Sequence, residues 1–368
     1  MKILFASDFH IHPHDDFSFI LPDGMNSRLA DCLSVIDRVG SLYERYDCDS
    51  VVFCGDLFHT PRSVPTDVLQ YTYDRLSALA RNVKHMVIVA GNHDKGVFAK
   101  DATQATSVSI FRDLPNTTVF ANKPEVFNCG KVSIAILPYL IGDNVAKEFI
   151  SLVKGFCSSP ANTRNLVVTH AQLAEATCGP NEIRLKSQFK VADWLKTGAV
   201  DYILAGHHHH PQRMAEQAIT IGSPIQHNML DRGDKRGIVI YDSKTNTTQR
   251  VWLKGNKFFL YEINSEKDLS LVDLPSVKDN YVRVMLRTEV ISNDRVRNML
   301  EKAGVRRCEV KLALPKEAHV KDQMLTDQFI SCGNVDGIID AFAEKTCPKE
   351  LDKTRLVEIG HKIVEKAQ

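Results

Sequence analysis

Five short apolar runs, each ending in polar residues capable of chemistry, constrain this chain more than any other feature. KILFAS runs into Asp8, SVVFC into Gly55-Asp56, and HMVIVA into Gly91-Asn92-His93-Asp94. NLVVT runs into His170, and DYILA into Gly206-His207. Runs this short and rich in Val and Ile predict buried strands. Helical stretches lie between them. In NSRLADCLSVIDRVGSLYERY, Leu29, Leu33, Ile36, Val39 and Tyr43 recur at helical spacing after an Asn/Ser start. Strand alternating with helix predicts an α/β domain, and open α/β sheets gather ligands at the carboxyl ends of their strands. All five runs deliver their polar residues there.

From about residue 219 the texture becomes strand after strand: AITIGS, RGIVIYD, TTQRVWL and KFFLYEI. These are expected to form an antiparallel edge completing a second sheet. The charged segment NSEKDLSLVDLPSVKDN then reads as a linker. Beyond it, YVRVMLRT, SNDRVRNMLEKAG and RRCEVKLAL predict a small strand–helix–strand domain. VDGIIDAFAEK and TRLVEIGHKIVEKA read as amphipathic helices. The expected division is two domains, residues 1–265 and 275–322, followed by C-terminal helices over 323–368. Two domains suit 368 residues. A net charge of +1 excludes an overall positive field, although residues 281–322 carry ten Lys/Arg against six Asp/Glu. Nine scattered cysteines without a CxxC pair indicate reduced thiols of a cytosol-like compartment. No run approaches the roughly 20 apolar residues of a membrane helix, and MKILFASDFHIH meets charge too early for a signal peptide. A cytoplasmic protein without membrane association is expected.

The strand-end residues Asp8, His10, Asp56, Asn92, His93 and His170, with the run AGHHHHP (205–211), form an oxygen and nitrogen donor set without thiolate. Such a set suits Mn, Fe or Zn, whereas structural zinc favours cysteine. It exceeds what one ion needs and fits two ions sharing a carboxylate. Two ions roughly 3.5–4 Å apart can clamp both oxygens of an in-line displacement at phosphorus and acidify a water. In the histidine run, alternation lets either His207 and His209 or His208 and His210 share a face. Each element alone has a bland structural explanation. Five in order, each after its own strand, do not.

D-x-H, G-D, G-N-H-D, H and G-H-x-H in this order resemble the calcineurin-like metallophosphoesterases over about residues 1–260. The resemblance implies an α/β fold: a two-sheet sandwich flanked by helices, here with a small α+β capping domain and C-terminal helices. By motif it implies that Asp8, His10 and His209 bind a first metal, that Asn92, His170 and His207 bind a second, and that Asp56 bridges. His93 would orient the phosphate and protonate the leaving oxygen, with Asp94 as the candidate to hold its tautomer. The pattern selects His207 and His209. Gly206, which permits a close approach or an unusual turn, and Pro211, which restricts His210, argue for the same register. His208 would then pack or face solvent, and His210 would be a rim residue at best.

GDLFHTPR and AGNHDKG depart from the GDxVDRG and RGNHE of the protein phosphatases, and His59 departs from the GDxFD of the lipid-precursor pyrophosphatases. GDLFH, GNHD, THAQ, IGSPIQHNM and DFHIHP, with Arg28 and Asp31 opening a helix, resemble the SbcD-type nucleases of double-strand-break repair. That resemblance implies a Mn2+-dependent exonuclease on duplex ends and endonuclease on single strands, with Mg2+, Fe2+ or Zn2+ as other metals. His59 would help place the DNA phosphodiester. It also implies a homodimer within a heterotetramer and an SbcC-type coiled-coil ATPase partner, docked on C-terminal helices where Leu356, Ile359 and Ile363 form a stripe. The compact length resembles the bacteriophage members, for which the compartment would be the host cytoplasm. The alternative is a metallophosphodiesterase acting on a nucleotide or other small phosphoester. A non-catalytic scaffold finds no support, because every motif residue is present.

Overall fold

The computed structural model describes residues 1–61, 63–95, 105–142, 144–158, 163–178, 183–184, 186–313, 339, 343 and 352–367. The chain begins β1 (Lys2–Ala6), α1 (Ser27–Arg45), β2 (Ser50–Cys54), α2 (Thr66–Asn82) and β3 (Met86–Val89). It continues β4 (Thr117–Phe120), β5 (Glu125–Cys129), β6 (Val132–Leu137), α3 (Val145–Lys154), β7 (Arg164–Thr169), β8 (Thr177–Cys178) and β9 (Ile183–Arg184). Then come α4 (Val191–Leu195), β10 (Tyr202–Ala205), β11 (Arg213–Ala215), β12 (Ala218–Thr220), β13 (Gly237–Asp242) and β14 (Thr247–Trp252). The last described elements are β15 (Phe258–Ile263), α5 (Leu274–Val277), β16 (Tyr281–Leu286), α6 (Asn293–Lys302), β17 (Arg307–Leu312) and α7 (Lys353–Ala367).

Two six-stranded sheets, β14-β13-β1-β2-β3-β4 and β11-β12-β10-β7-β6-β5, stack face to face. Alternation along each strand supplies both faces. In β1, Ile3 and Phe5 enter the core between the sheets, while Leu4 and Ala6 pack outward against the α1 and α2 layer. The second sheet's outer face packs Val167, Ile203 and Ala205 against Phe149 of α3 and Trp194 of α4. The result is a helix–sheet–sheet–helix sandwich. Asn26 caps α1, its side chain accepting from the amides of Arg28 (2.8 Å) and Leu29 (3.1 Å). β1, β2 and β3 run parallel, as do β6, β7 and β10. Their carboxyl ends therefore share one rim.

The strand-rich segment after residue 219 does not form one antiparallel edge. β12 joins the second sheet parallel to β10, whereas β13 and β14 return to the first sheet, β13 antiparallel to β1. The reason lies in β13: Ile238 and Ile240 enter the outer core, and Val239 and Tyr241 the inner one. A strand apolar on both faces needs an interior berth. β15 leaves the sandwich for a parallel three-stranded sheet, β15-β16-β17, covered by α6. The expected linker at 264–280 is also structured. It carries a 3-10 turn, Glu266–Leu271, closed by reciprocal Ser265 and Asp268 bonds, and buries Val272 and Val277 in the small domain's core. The small unit thus begins at Phe258.

Asp31 of α1 latches the small unit, accepting from Tyr281 Oη (2.6 Å) and Arg306 Nη2 (2.9 Å). The Arg28 guanidinium sits 5.0 Å from the ring centroids of both Phe258 and Tyr281. In α7, Leu356 and Ile359 are 39% and 49% exposed. The Ile363 side chain and most of VDGIIDAFAEK lie outside the described residues. Among the described residues, no helix is long and apolar enough to cross a membrane.

Candidate metal centre

The strand-end residues meet on the rim through backbone turns that few side chains tolerate. Asp8, His10, Asp56 and His207 all have positive φ, at 56°, 44°, 52° and 71°. Such conformations cost roughly 1–3 kcal/mol each and persist only where the surroundings impose them. The intervening glycines let the loops close. A Cβ at Gly91 would lie 2.1 Å from Asp56 Oδ1, and one at Gly206 would lie 2.2 Å from Ser7 Oγ and 2.3 Å from the Cys54 carbonyl.

Beside a cluster of His10, His59 and His93, whose ligand atoms lie within 4.8 Å of one another, two donor groups that include a carboxylate result. Ligand atoms of Asp8, His10 and His209 lie within 4.8 Å of one another, as do those of Asp56, His170 and His207. His10 Nε2 is 2.9 Å from His209 Nε2, and His207 Nδ1 is 3.0 Å from Asn92 Oδ1. Asp56 Oδ2 faces both groups, 3.6 Å from His10 Nε2 and 3.2 Å from His170 Nε2. Its other oxygen accepts from the His93 amide at 2.8 Å. His170 Nδ1 donates to the Cys54 carbonyl (2.6 Å), which leaves Nε2 for the centre. His208 is buried with its ring 5.2 Å from that of His207, and His210 is exposed with Nδ1 2.7 Å from Asp234 Oδ2.

The charges fit cations. Burial raises Asp8 above the ordinary carboxylate range. Burial also opposes the charge of Asp56, but His170, His93 and His207 hold it below that range. For His170, burial disfavours the charge and Asp56 outweighs it, lifting the imidazole to about 9. Burial first, and neighbouring imidazoles second, push His10 and His207 well down, which keeps them neutral and able to ligate. Both oxygens of Asp8 and Nε2 of His207 are buried with no hydrogen-bond partner among the described residues. Unpaired buried polar atoms are costly, and divalent cations would satisfy them. The donor set fits two such ions.

Asp94 has a different task from the expected one. Its carboxylate accepts from the amides of Gly91 (2.9 Å), Phe58 (3.0 Å) and Leu57 (3.3 Å), tying the β2 and β3 loops together. The His93 imidazole instead uses Nδ1 to donate to the His59 carbonyl. A main-chain oxygen already fixed in the loop thus sets the tautomer, while Asp94 is consumed by amides. The half-buried His59 ring stacks 5.6 Å from His93 and lies 5.3 Å from His10. Burial, then His93 and other imidazoles, push His59 down to about 3, so it offers hydrogen bonding rather than charge.

Three further residues carry the centre without having been singled out in the sequence. Asp231 Oδ1 lies 3.6 Å from His209 Nδ1 and accepts from Arg236 at 3.0 Å. Burial opposes the charge of Asp231, but Arg236 and His209 hold its carboxyl well below the usual range. His227 Nε2 donates to the Asp8 carbonyl at 2.9 Å. IGSPIQHNM and the LDRG after it held the only signal, polar residues in a loop beside the last motif.

A sandwich with this rim is that of a metallophosphoesterase. Residues 1–211 match the calcineurin-like phosphoesterase family, and the chain belongs to it. It is a metallophosphoesterase. It is 24% identical over 286 residues to the SbcD component of the SbcCD nuclease of Bacillus subtilis (strain 168), an alignment covering 70% of this chain and 71% of that protein. Similar solved structures include a dimetal phosphatase from Danio rerio (12% identity, TM-score 0.37, 65% of this chain and 91% of that one). Another is the nuclease MPE of Pseudomonas putida (14% identity, TM-score 0.29, 68% and 87%).

Proposed function

We propose that this protein is the DNA nuclease subunit of an SbcCD-type complex, acting exonucleolytically on duplex ends and endonucleolytically on single strands. The observation that carries the two-metal reading is Asp56 Oδ2, set between two imidazole-bearing donor groups on one rim. Asp8, His10 and His209 would hold a first ion and Asn92, His170 and His207 a second, with the Asp56 carboxylate shared between them. When bound, two divalent ions, Mn2+ in this reading, supply Lewis acidity and an acidified water at neutral pH. The chain's own residues do the rest. His93, with Nδ1–H on the His59 carbonyl, presents Nε2 to the leaving oxygen; protonated to the imidazolium, it hands over the Nε2 proton and returns to the neutral ring with Nδ1–H kept. His59 helps position the phosphodiester through hydrogen bonding.

DNA as substrate and an SbcC-type ATPase as partner are supported by the likeness to the Bacillus subtilis protein and by the exposed Leu356 and Ile359 of α7. A homodimer within the complex completes the reading. The small unit is the DNA-binding cap in this proposal, although much of its basic excess is already paired. Arg283 bonds Glu309, Arg287 Glu262, Arg295 Glu266 and Arg306 Asp31. Intrinsic DNA affinity is therefore modest, and the partner supplies the remainder. The test incubates pure protein with end-labelled duplex and single-stranded DNA, and in parallel with a small nucleotide diester, each with Mn2+ or Mg2+. Metal-dependent shortening of the duplex and internal cuts in the single strand are expected. Hydrolysis of the small diester with both DNAs intact would overturn the substrate assignment.

A further inference from the structure

A second donor set lies beside the centre, drawn from three separate segments. The strap between β1 and α1 brings His14, the second turn of α1 brings Cys32, and the loop between β12 and β13 brings His227. A ring nitrogen of each histidine and Cys32 Sγ lie within 4.8 Å of one another. Cys32 and His227 are buried, while half-buried His14 leaves one side open to solvent.

The hydrogen bonds prepare both imidazoles as ligands. His227 Nε2 faces the Asp8 carbonyl at 2.9 Å, and His14 Nε2 faces the His10 carbonyl at 3.1 Å. A carbonyl can only accept, so each Nε2 carries hydrogen and each Nδ1 keeps its lone pair. Metal-bound histidines are characteristically oriented in this way. His227 Nδ1 is buried with no hydrogen-bond partner among the described residues, an arrangement a metal would relieve. The Cys32 thiol lies against the His10 carbonyl, 3.9 Å from Sγ, and a metal would take the place of its proton.

Two imidazoles and a thiolate are softer than the oxygen-rich neighbouring set, and zinc takes them at about 2.0–2.1 Å for nitrogen and about 2.3 Å for sulfur. Tetrahedral zinc sets its ligand atoms about 3.3–3.7 Å apart at those bond lengths. The set therefore closes by little more than an ångström. We propose that His14, Cys32 and His227 form a third, zinc-selective metal site, with its fourth position open on the His14 side, that pins the strap to α1 and to the 221–236 loop.

Metal-free full-length protein is loaded with Co2+ and its spectrum recorded, and the zinc content is measured separately after saturation with Mn2+ and then Zn2+. A thiolate-to-cobalt charge-transfer band is expected in the near ultraviolet. The principal centre's donor set contains no cysteine, so the band reports the new site whether or not the two-metal reading holds. Cys32→Ser is expected to abolish the band and remove one equivalent of zinc. His14→Ala, at a half-buried position, is expected to weaken Co2+ binding at the band at least tenfold. If Cys32→Ser fails to fold, His14→Ala decides. A wild-type Co2+ spectrum without the band overturns the proposal, as does a band that survives either substitution unchanged.

Discussion

Gly91→Ala tests whether the rim's loops must approach as closely as the structure has them. The added Cβ would stand 2.1 Å from Asp56 Oδ1 and 2.3 Å from the Asp56 amide nitrogen, whereas ordinary contact begins at 3.4 Å. The shortfall is about 1.3 Å at the side chain. It cannot be taken up by a flexible side-chain end, because one obstacle is backbone and the other is the carboxylate facing both donor groups. Overpacking of this kind costs about 1–3 kcal/mol, equivalent to a fall in Tm of roughly 2–12 °C for a domain of this size. Catalysis should suffer more, since a displacement near 1 Å costs about 10²-fold when geometry governs the rate. Differential scanning calorimetry and hydrolysis of a chromogenic phosphodiester read the two effects, and metal analysis shows whether the metal content is kept. If Gly91→Ala keeps two metals and wild-type turnover, the close approach of the β3 loop to Asp56 is not what positions the carboxylate.

The other expectations concern separate parts of the centre. His93→Ala should retain both metals yet lose about 10²–10⁴-fold in activity, whereas Asp56→Asn should lose metal; a missing equivalent in His93→Ala would make that residue a ligand instead. Asp231→Asn breaks a buried ion pair with Arg236, a change worth about 3–5 kcal/mol, and should weaken the first metal about 10–100-fold. Unchanged metal affinity by titration calorimetry would remove Asp231 from the positioning of His209. Within AGHHHHP, His209→Gln should lower metal content and His208→Gln should not; the reverse result would shift the register by one residue.

Local sequence carried the parts that local physics decides. β1, β2, β3, β7 and β10 were legible because five apolar runs have no other stable use, and Asn26 announced the start of α1. The polar residues following those runs already traced the rim. What escaped is set by partners distant in the chain. β13 reads simply as a strand, since which sheet accepts it depends on a pairing more than two hundred residues away, Phe5 with Val239; β15 pairs with β16 across the segment that reads as a linker, Phe258 with Tyr281. Asp231 and Arg236 sit in a loop without periodicity, and only the fold brings them to His209. The tautomer-setting partner of His93 escaped for a related reason. Asp94 is held by backbone amides and His93 by the His59 carbonyl, groups every residue has and no motif encodes.

The account stands most directly on the anomalous scattering of Mn2+ in crystals of the wild-type protein. It predicts two peaks roughly 3.5–4 Å apart, one among Asp8, His10 and His209, the other among Asn92, His170 and His207, with Asp56 touching both. A single peak on this rim at saturating Mn2+, or a pair that Asp56 does not bridge, would contradict it.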